Sequence, residues 1–256
     1  MDRSRVVPVT RERHGHKYWR RPSSSSFTVG EHAAPLVGLE VHRAVLAMPL
    51  AFVLLENRYT FSGMLSPVPG VNYFVDAKGQ WLGTYVPACF RGFPFSVSLA
   101  GENDNRVLCI EESPETISDE SGEPFFADTG ELAKPVKDVL EFLSKVEQNR
   151  KSTDLAVSAL ADAGVIVEWP ISLSFGGKEI TVSDLYRIDE ARLNNLDSST
   201  FLGLRKAGAL PIAYAQLLSM GNVRFFQKLY EIKKQEEKSS KVDLQRFLGE
   251  DDIFKF

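Results

Sequence analysis

Ile171-Ser-Leu-Ser-Phe-Gly-Gly-Lys-Glu-Ile-Thr-Val182 carries the plainest local pattern in this chain. Apolar and polar residues alternate on both sides of Gly176-Gly177, the period of a strand whose successive side chains point to opposite faces. Two glycines, free to take positive φ, allow the halves to fold back on one another. The register this predicts sets Ile171 opposite Val182 and Leu173 opposite Ile180 on one face, with Ser172, Ser174, Glu179 and Thr181 on the other. One buried and one wet face is the habit of an antiparallel sheet. The expected class is therefore α+β: a mainly antiparallel β-sheet with helices packed on it.

Upstream, short strand-like runs are separated by Gly, Pro, Asn or Asp and read as a β-meander. They are Ala51–Leu55, Tyr59–Leu65, Val71–Val75, Trp81–Val86, Phe95–Leu99 and Val107–Ile110. Val75 to Trp81 reads as a hairpin with Gly79 supplying a positive φ. Ahead of them, His32-Ala-Ala-Pro35 reads as a helix or turn that leads, past Leu36, Leu39 and Val41, into a buried strand. Pro49 ends the first of these elements, because proline has no N–H and restricts the residue before it.

Two helices are expected between the meander and the hairpin. Leu132, Val136, Val139, Leu140, Leu143 and Val146 recur at steps of three and four, predicting an amphipathic helix from Leu132 to Asn149 with Pro135 in its first turn. A second runs from Asp154 to Ala163 and stops at Gly164. Beyond the hairpin, Asp197 reads as a helix N-cap and Gly208 as a stop. A further helix holds Leu210, Ala213, Tyr214, Leu217 and Leu218, and Gly221-Asn222 breaks it before Phe225 and Phe226.

The ends differ from this middle. Residues 1–26 read as a basic flexible arm, with Arg3, Arg5, Arg11, Arg13, Lys17, Arg20 and Arg21 against Asp2 and Glu12, followed by the serine spacer Ser23–Ser26. Residues 27–235 form the expected domain. Glu231–Lys241 reads as a charged spacer, and residues 236–256 as a mobile acidic and aromatic tail. Residues 111–131 hold eight carboxylates and no Lys or Arg, lack the spacing of a calcium loop, and read as a solvated acidic loop.

Composition bounds the function. Across 256 residues, 43% are hydrophobic and 25% charged, enough apolar content for a sizeable core in one large or two small domains. A net charge of −4 argues against general nucleic-acid binding, even with a basic arm. Cys89 and Cys109 form no CxxC, and both read as reduced packing residues. The longest apolar stretch, Val45 to Leu55, is well short of the ~20 residues a bilayer span needs, so no membrane insertion is expected. The first residues lack the apolar core of a signal peptide, and a cytoplasmic location is the expectation. His14 and His16 lack a third ligand, so neither a metal site nor a cofactor is expected. No G-x-S-x-G, H-E-x-x-H, G-x-G-x-x-G or G-x-x-x-x-G-K-[ST] pattern occurs.

The order of several segments resembles the SapC family. Tyr73-Phe74-Val75-Asp76, Gly79-Gln80-Trp81, Tyr85-Val86-Pro87-Ala88 and Arg91-Gly92-Phe93-Pro94-Phe95 are similar to its central signature. His32, Pro35, Leu36, Glu40 and Pro49 resemble its opening segment. Leu185 to Glu190, Leu193, Leu196, Phe201, Leu204, Gly208-Ala209-Leu210, Tyr214 and Leu218-Ser219 resemble its closing one, and Phe247 to Phe256 its end motif. Gly92 stands where the family pattern has a larger, often basic residue. The family takes its name from a gene linked to export of bacterial surface-layer protein. Many relatives are encoded beside TonB-dependent receptors and flavin-dependent tryptophan-halogenase-like proteins. No reaction or catalytic residue comes with the family, and the leading expectation is a non-enzymatic binding or accessory protein that supports uptake or export of a surface-related substrate through a protein partner. The alternative is a small-molecule-binding protein or enzyme with an aromatic pocket around Trp81, Tyr85 and Arg91, associated with flavin-dependent halogenase systems. Gene neighbourhood is association and brings no mechanism.

Two groups of residues are candidate sites. Trp81, Tyr85, Phe90, Phe93 and Phe95 crowd around Arg91, with Asp76 upstream. They read either as a stacking pocket for a small molecule, with Arg91 gripping a carboxylate or phosphate, or as sheet core with Arg91 paired to Asp76. In the tail, Phe247, Leu248, Ile253, Phe254 and Phe256 are apolar anchors in an acidic frame, suited to docking on a protein partner. His32 and Glu40 read as an acid–base pair or as structural groups. Asp189, beside Tyr186, Arg187 and Glu190, reads as the residue that fixes a strand-to-helix junction.

Overall fold

The computed structural model describes residues 6–100, 105–175 and 178–249. The main sheet grows from one hairpin. Leu50–Leu55 (β4) and Arg58–Met64 (β5) pair antiparallel from Leu50↔Gly63 to Leu55↔Arg58. The turn between them is Glu56-Asn57, both at positive φ (48° and 61°), the two-residue geometry whose twist matches the flanking strands. Ala33–Pro35 (β3) pairs with the outer side of β5, Leu185–Ile188 (β13) with β4, and Ile166–Glu168 (β10) with β13. The order is β10-β13-β4-β5-β3, all antiparallel. The segment read as a helix or turn thus contains the edge strand β3, then Val41–Ala47 (α2), which ends just before Pro49 as expected.

A second sheet is smaller. Val6–Pro8 (β1) and Phe95–Ala100 (β6) flank Asn105–Glu111 (β7). Here the structure differs, over residues 6–26, from the reading of residues 1–26 as an arm; residues 1–5, with Arg3 and Arg5, lie outside the described residues. β1 pairs with β7, Thr10 caps Arg11–His14 (α1) by accepting from Arg13 N, and Tyr18–Trp19 (β2) lies between Ile117–Ser118 (β8) and Glu123–Pro124 (β9). The reason is that the basic side chains find acceptors in the stretch from Glu112 to Ser121. Arg13 Nε donates to Glu112 Oε1 at 2.9 Å, and Arg20 Nη2 donates to Ser118 and Ser121 at 3.0 and 2.7 Å. The basic stretch and the acidic stretch read as a solvated loop partner each other, and both bury apolar side chains: Trp19 and Phe125 belong to the small core with Ile110 and Val136. The serine spacer docks too, with Ser25 N donating to Gly79 O.

His14 sits in this seam, fully buried against Phe125 (ring centroids 4.8 Å apart), with Nε2 3.2 Å from Glu112 Oε1. Burial outweighs the hydrogen bond that His14 Nδ1 donates to Thr10 O and the nearby Glu112 charge, and lowers the imidazole pKa. Glu112 is lowered from its usual value chiefly by the hydrogen bond from Arg13. Both shifts have one sign in linkage. The unfolded chain binds protons that the folded chain refuses, so each contribution is complete above the unfolded pKa and fades as pH falls toward the folded one. The melting temperature is therefore expected to fall on acidification below about pH 6.5 and again below about 4.5. Glu112→Gln should flatten the second decline; a Glu112→Gln curve that parallels wild type down to pH 3.5 contradicts this.

One helix serves both cores. Lys134–Asp162 (α4) spans 29 residues, about 43 Å at 1.5 Å per residue. Val136 and Val139 enter the small core, while Ala156, Val157 and Leu160 enter the large one. The two helices expected here are thus one. The polar stretch that reads as a gap continues the helix because its side chains are employed. Asn149 Oδ1 accepts from Leu39 N at 2.9 Å and Thr153 Oγ1 accepts from Gly38 N at 2.8 Å, satisfying donors at a distant chain turn.

The remaining elements follow the expected order. Ile171–Phe175 (β11) and Lys178–Val182 (β12) pair with Ile171 opposite Val182 and Leu173 opposite Ile180, as the alternation predicts. They form a two-stranded sheet of their own. Glu190–Asn194 (α5) is capped by Asp189, and Ser198–Lys206 (α6) by Asp197. Gly164 and Gly208 take positive φ at 66° and 69°. Ala209–Ser219 (α7) packs on β4, β13, α2 and α4. Val71–Val75 and Trp81–Val86, read as strands, are irregular apart from a single Val75↔Trp81 bridge. Their backbone groups find scattered partners in place of a ladder: Asn72 N donates to Val29 O and Tyr73 N to Leu65 O, while Asn72 Oδ1 accepts from Phe74 N and Trp81 Nε1 donates to Tyr85 O. Finally, Phe225–Gly249 (α8) is helical through the stretch expected as a spacer and into the expected tail. Phe247 and Leu248 fall in its last turns, and Ile253, Phe254 and Phe256 lie outside the described residues.

Candidate functional site

The signature Tyr85–Phe95 folds around one short helix, Ala88–Arg91 (α3), and its two sides face different surroundings. On one side lies a cavity of about 790 Å³, where the two cores meet. Phe27, Phe90, Phe93 and Phe95 form its aromatic wall, with Ala33 and Pro35 of β3 and Val6 of β1 completing the apolar lining. The wall is prepacked. Phe27 and Phe93 stack with centroids 3.9 Å apart and planes at 9°, and Phe27 meets Phe90 edge-on at 6.2 Å. The polar lining is Ser96 and Ser98 of β6 with the half-buried carboxylates Glu31 and Glu111. No Lys, Arg or His is among the described residues that line it.

Cys89 also faces this cavity. Burial, reinforced by the charge of Glu40, pushes its thiol up to about 12, so the sulfur stays protonated at neutral pH and acts as soft wall surface.

On the other side of α3, Glu40 is buried (4% exposed) and saturated with donors. Tyr85 OH and Ala88 N both donate to Oε1 at 2.7 Å, and Val37 N donates to Oε2 at 2.9 Å. Burial, with the hydrogen bond to Glu40, raises the Tyr85 hydroxyl far above its ordinary pKa, and Tyr85 remains a donor. Arg91 Nη2 donates to the same hydroxyl at 3.2 Å. Its guanidinium lies 5.5 Å from the Tyr85 ring centroid and 5.0 Å from that of Phe142 on α4.

The residues that sequence reading grouped are thus distributed. Phe93 lines the cavity. Tyr85 and Arg91 stand on the opposite side. Trp81 lies between, stacked on Phe74 at 5.5 Å and tilted toward Phe90 at 6.1 Å. Asp76 is a turn residue whose Oδ1 accepts from Lys78 N and Gln80 N, and no ion pair joins it to Arg91. Glu40 finds Tyr85 and the backbone of Val37 and Ala88, and exposed His32 is not among its partners. Asp189 caps α5, the junction role expected of it. Phe27, Glu31, Cys89 and Glu111 were not legible as site residues, because the fold brings them to one cavity from separate stretches of the chain.

Among the described residues no cluster of three or more His, Cys, Asp or Glu is placed to hold a metal ion. No helix among them is long and apolar enough to cross a membrane. A protein-family model described as SapC matches residues 9–225, most of the chain and all of the cavity lining except Val6. No curated protein and no solved structure matches.

Proposed function

The chain belongs to the SapC family, and from that footing we propose that it is a non-enzymatic binding protein for a small apolar ligand with a hydrogen-bond-donating end. The observation that carries this reading is the 790 Å³ cavity, walled by four phenylalanines and edged by Glu31, Glu111, Ser96 and Ser98. Its volume lies within the range of small-molecule sites, and its apolar wall with a few polar groups follows their usual make-up. Two carboxylates without a cation among the lining residues favour an amine or hydroxyl over an acid at the ligand's polar end. In the family setting the bound molecule is a substrate of surface uptake or export, passed to a protein partner. A pull-down that recovers the same proteins with and without ligand would sink that second half.

The cavity itself is tested with matched probes. A ligand that binds only the folded chain stabilises it by mass action, by about 2.7 kcal/mol at a hundredfold excess over Kd. For a chain of this length that raises the melting temperature by roughly 5–10 °C. Arylalkylamines such as phenethylamine are expected to give the shift and phenylacetate to give none. Equal shifts, or none from either, count against the reading.

A further inference from the structure

Arg91 is held between aromatic rings and a hydroxyl, without a counter-charge. Its guanidinium rests on two rings, Tyr85 and Phe142, and its one hydrogen bond goes to a hydroxyl that Glu40 pins in place. Among the described residues no carboxylate lies within ion-pair distance of it, and the same holds for Arg21 and Arg43. Two hollows of about 370 and 240 Å³ adjoin at Arg91 and Phe142. Arg21 lines the first; Arg43, His42 and Lys145 line the second.

The acidic groups nearby are already engaged. Asp138 pairs with Lys134, and both Glu40 oxygens accept hydrogen bonds. Of the five N–H groups of Arg91, one is taken by Tyr85, which leaves a fork of donors free to meet a planar oxyanion. An ordinary surface arginine must give up side-chain freedom to form such a pair. Here the ring contacts and the Glu40–Tyr85–Arg91 chain have already restricted it.

We propose that this groove is a second binding site, on the face of α3 turned away from the cavity, and that it takes the carboxylate or phosphate group of a small anionic ligand. Arg91 supplies the bidentate grip, Phe142 the apolar floor, and Arg21 and Arg43 the surrounding positive field.

The full-length protein is titrated with benzoate and, separately, with inorganic phosphate, followed by heteronuclear NMR at low and at raised salt. At least one probe is expected to bind saturably, with shifts at Arg91 and Phe142 that weaken as salt rises. Saturation by benzoate alone assigns the site to carboxylates, and by phosphate alone to phosphate esters. Arg91→Met is expected to weaken binding about tenfold or more, and Arg91→Lys to recover only part, since lysine keeps the charge without the fork. Arg91 is exposed, so both variants should melt as wild type does. Arg43→Gln, at another exposed position, is an independent probe and should weaken binding about threefold by reducing the local field. Saturation by neither probe overturns the proposal. So does an affinity unchanged in Arg91→Met, whatever Arg43→Gln does.

Discussion

Glu40→Ala is expected to lower the unfolding free energy by about 3–5 kcal/mol. The substitution leaves three buried donors, Val37 N, Ala88 N and Tyr85 OH, facing an emptied space. A buried donor stripped of its acceptor loses the full desolvation energy, about 1–3 kcal/mol each, and the losses are only partly additive in so small a volume. Glu40→Gln should cost about half as much. Its amide carbonyl still accepts from Tyr85 and Ala88, but its NH₂ turns a donor toward Val37 N–H. Urea unfolding of both variants decides the matter. A loss under 1 kcal/mol for alanine would mean that the carboxyl is solvated and does not organise the signature.

Phe125→Ala is the second large loss, again about 3–5 kcal/mol, because a fully buried phenylalanine is removed from a small core that has few atoms with which to refill the space. Its ring contacts His14 at 4.8 Å and Phe95 at 6.1 Å, so the effect should have a location as well as a size. Residues 6–21 are held by this core and by the Glu112 ion pair, and without Phe125 they should open before the rest of the fold. Limited trypsin digestion is expected to cut first at Arg11, Arg13 or Lys17 in the variant, at protease levels that leave wild type intact. Cleavage starting in α8 or spread evenly over the chain would contradict this.

Sequence reading succeeded wherever the determining contacts are near neighbours in the chain. The Ile171–Val182 register, the α6 cap at Asp197 and the stops at Gly164 and Gly208 each depend on a few adjacent residues. It failed wherever a residue answers a distant one. Residues 150–153 look like a helix break until Gly38 and Leu39, more than a hundred residues away, are found to need the oxygens of Thr153 and Asn149. The basic stretch reads as a free arm until Arg13 meets Glu112, ninety-nine positions on. Val71–Val75 has strand-like composition, but its backbone answers Val29, Leu65 and the Asn72 side chain in turn and not one neighbouring strand, which composition does not record.

The site was half legible for the same reason. The aromatic density of Trp81 to Phe95 marks the signature, and the resemblance to SapC proteins runs through it. What the alternation of strands cannot show is that α3 divides those residues. Phe90 and Phe93 turn toward a cavity completed by Phe27, Glu31 and Glu111, while Tyr85 and Arg91 turn toward Glu40 and Phe142. Glu40 has a strand-distant tyrosine as its partner, and nothing in its local sequence distinguishes it from a surface glutamate.

The most direct test of the cavity is to fill it. Ser96 lies on its β6 wall and is half-buried, so Ser96→Phe places a ring where a ligand would sit. Wild-type protein titrated with phenethylamine should show saturable NMR shifts at Ala33, Cys89, Ser96 and Ser98. Ser96→Phe, with its melting temperature preserved, should show none at the remaining three. Shifts that persist unchanged in the filled variant, or that cluster away from these residues in wild type, would place the ligand elsewhere and remove the cavity from the account.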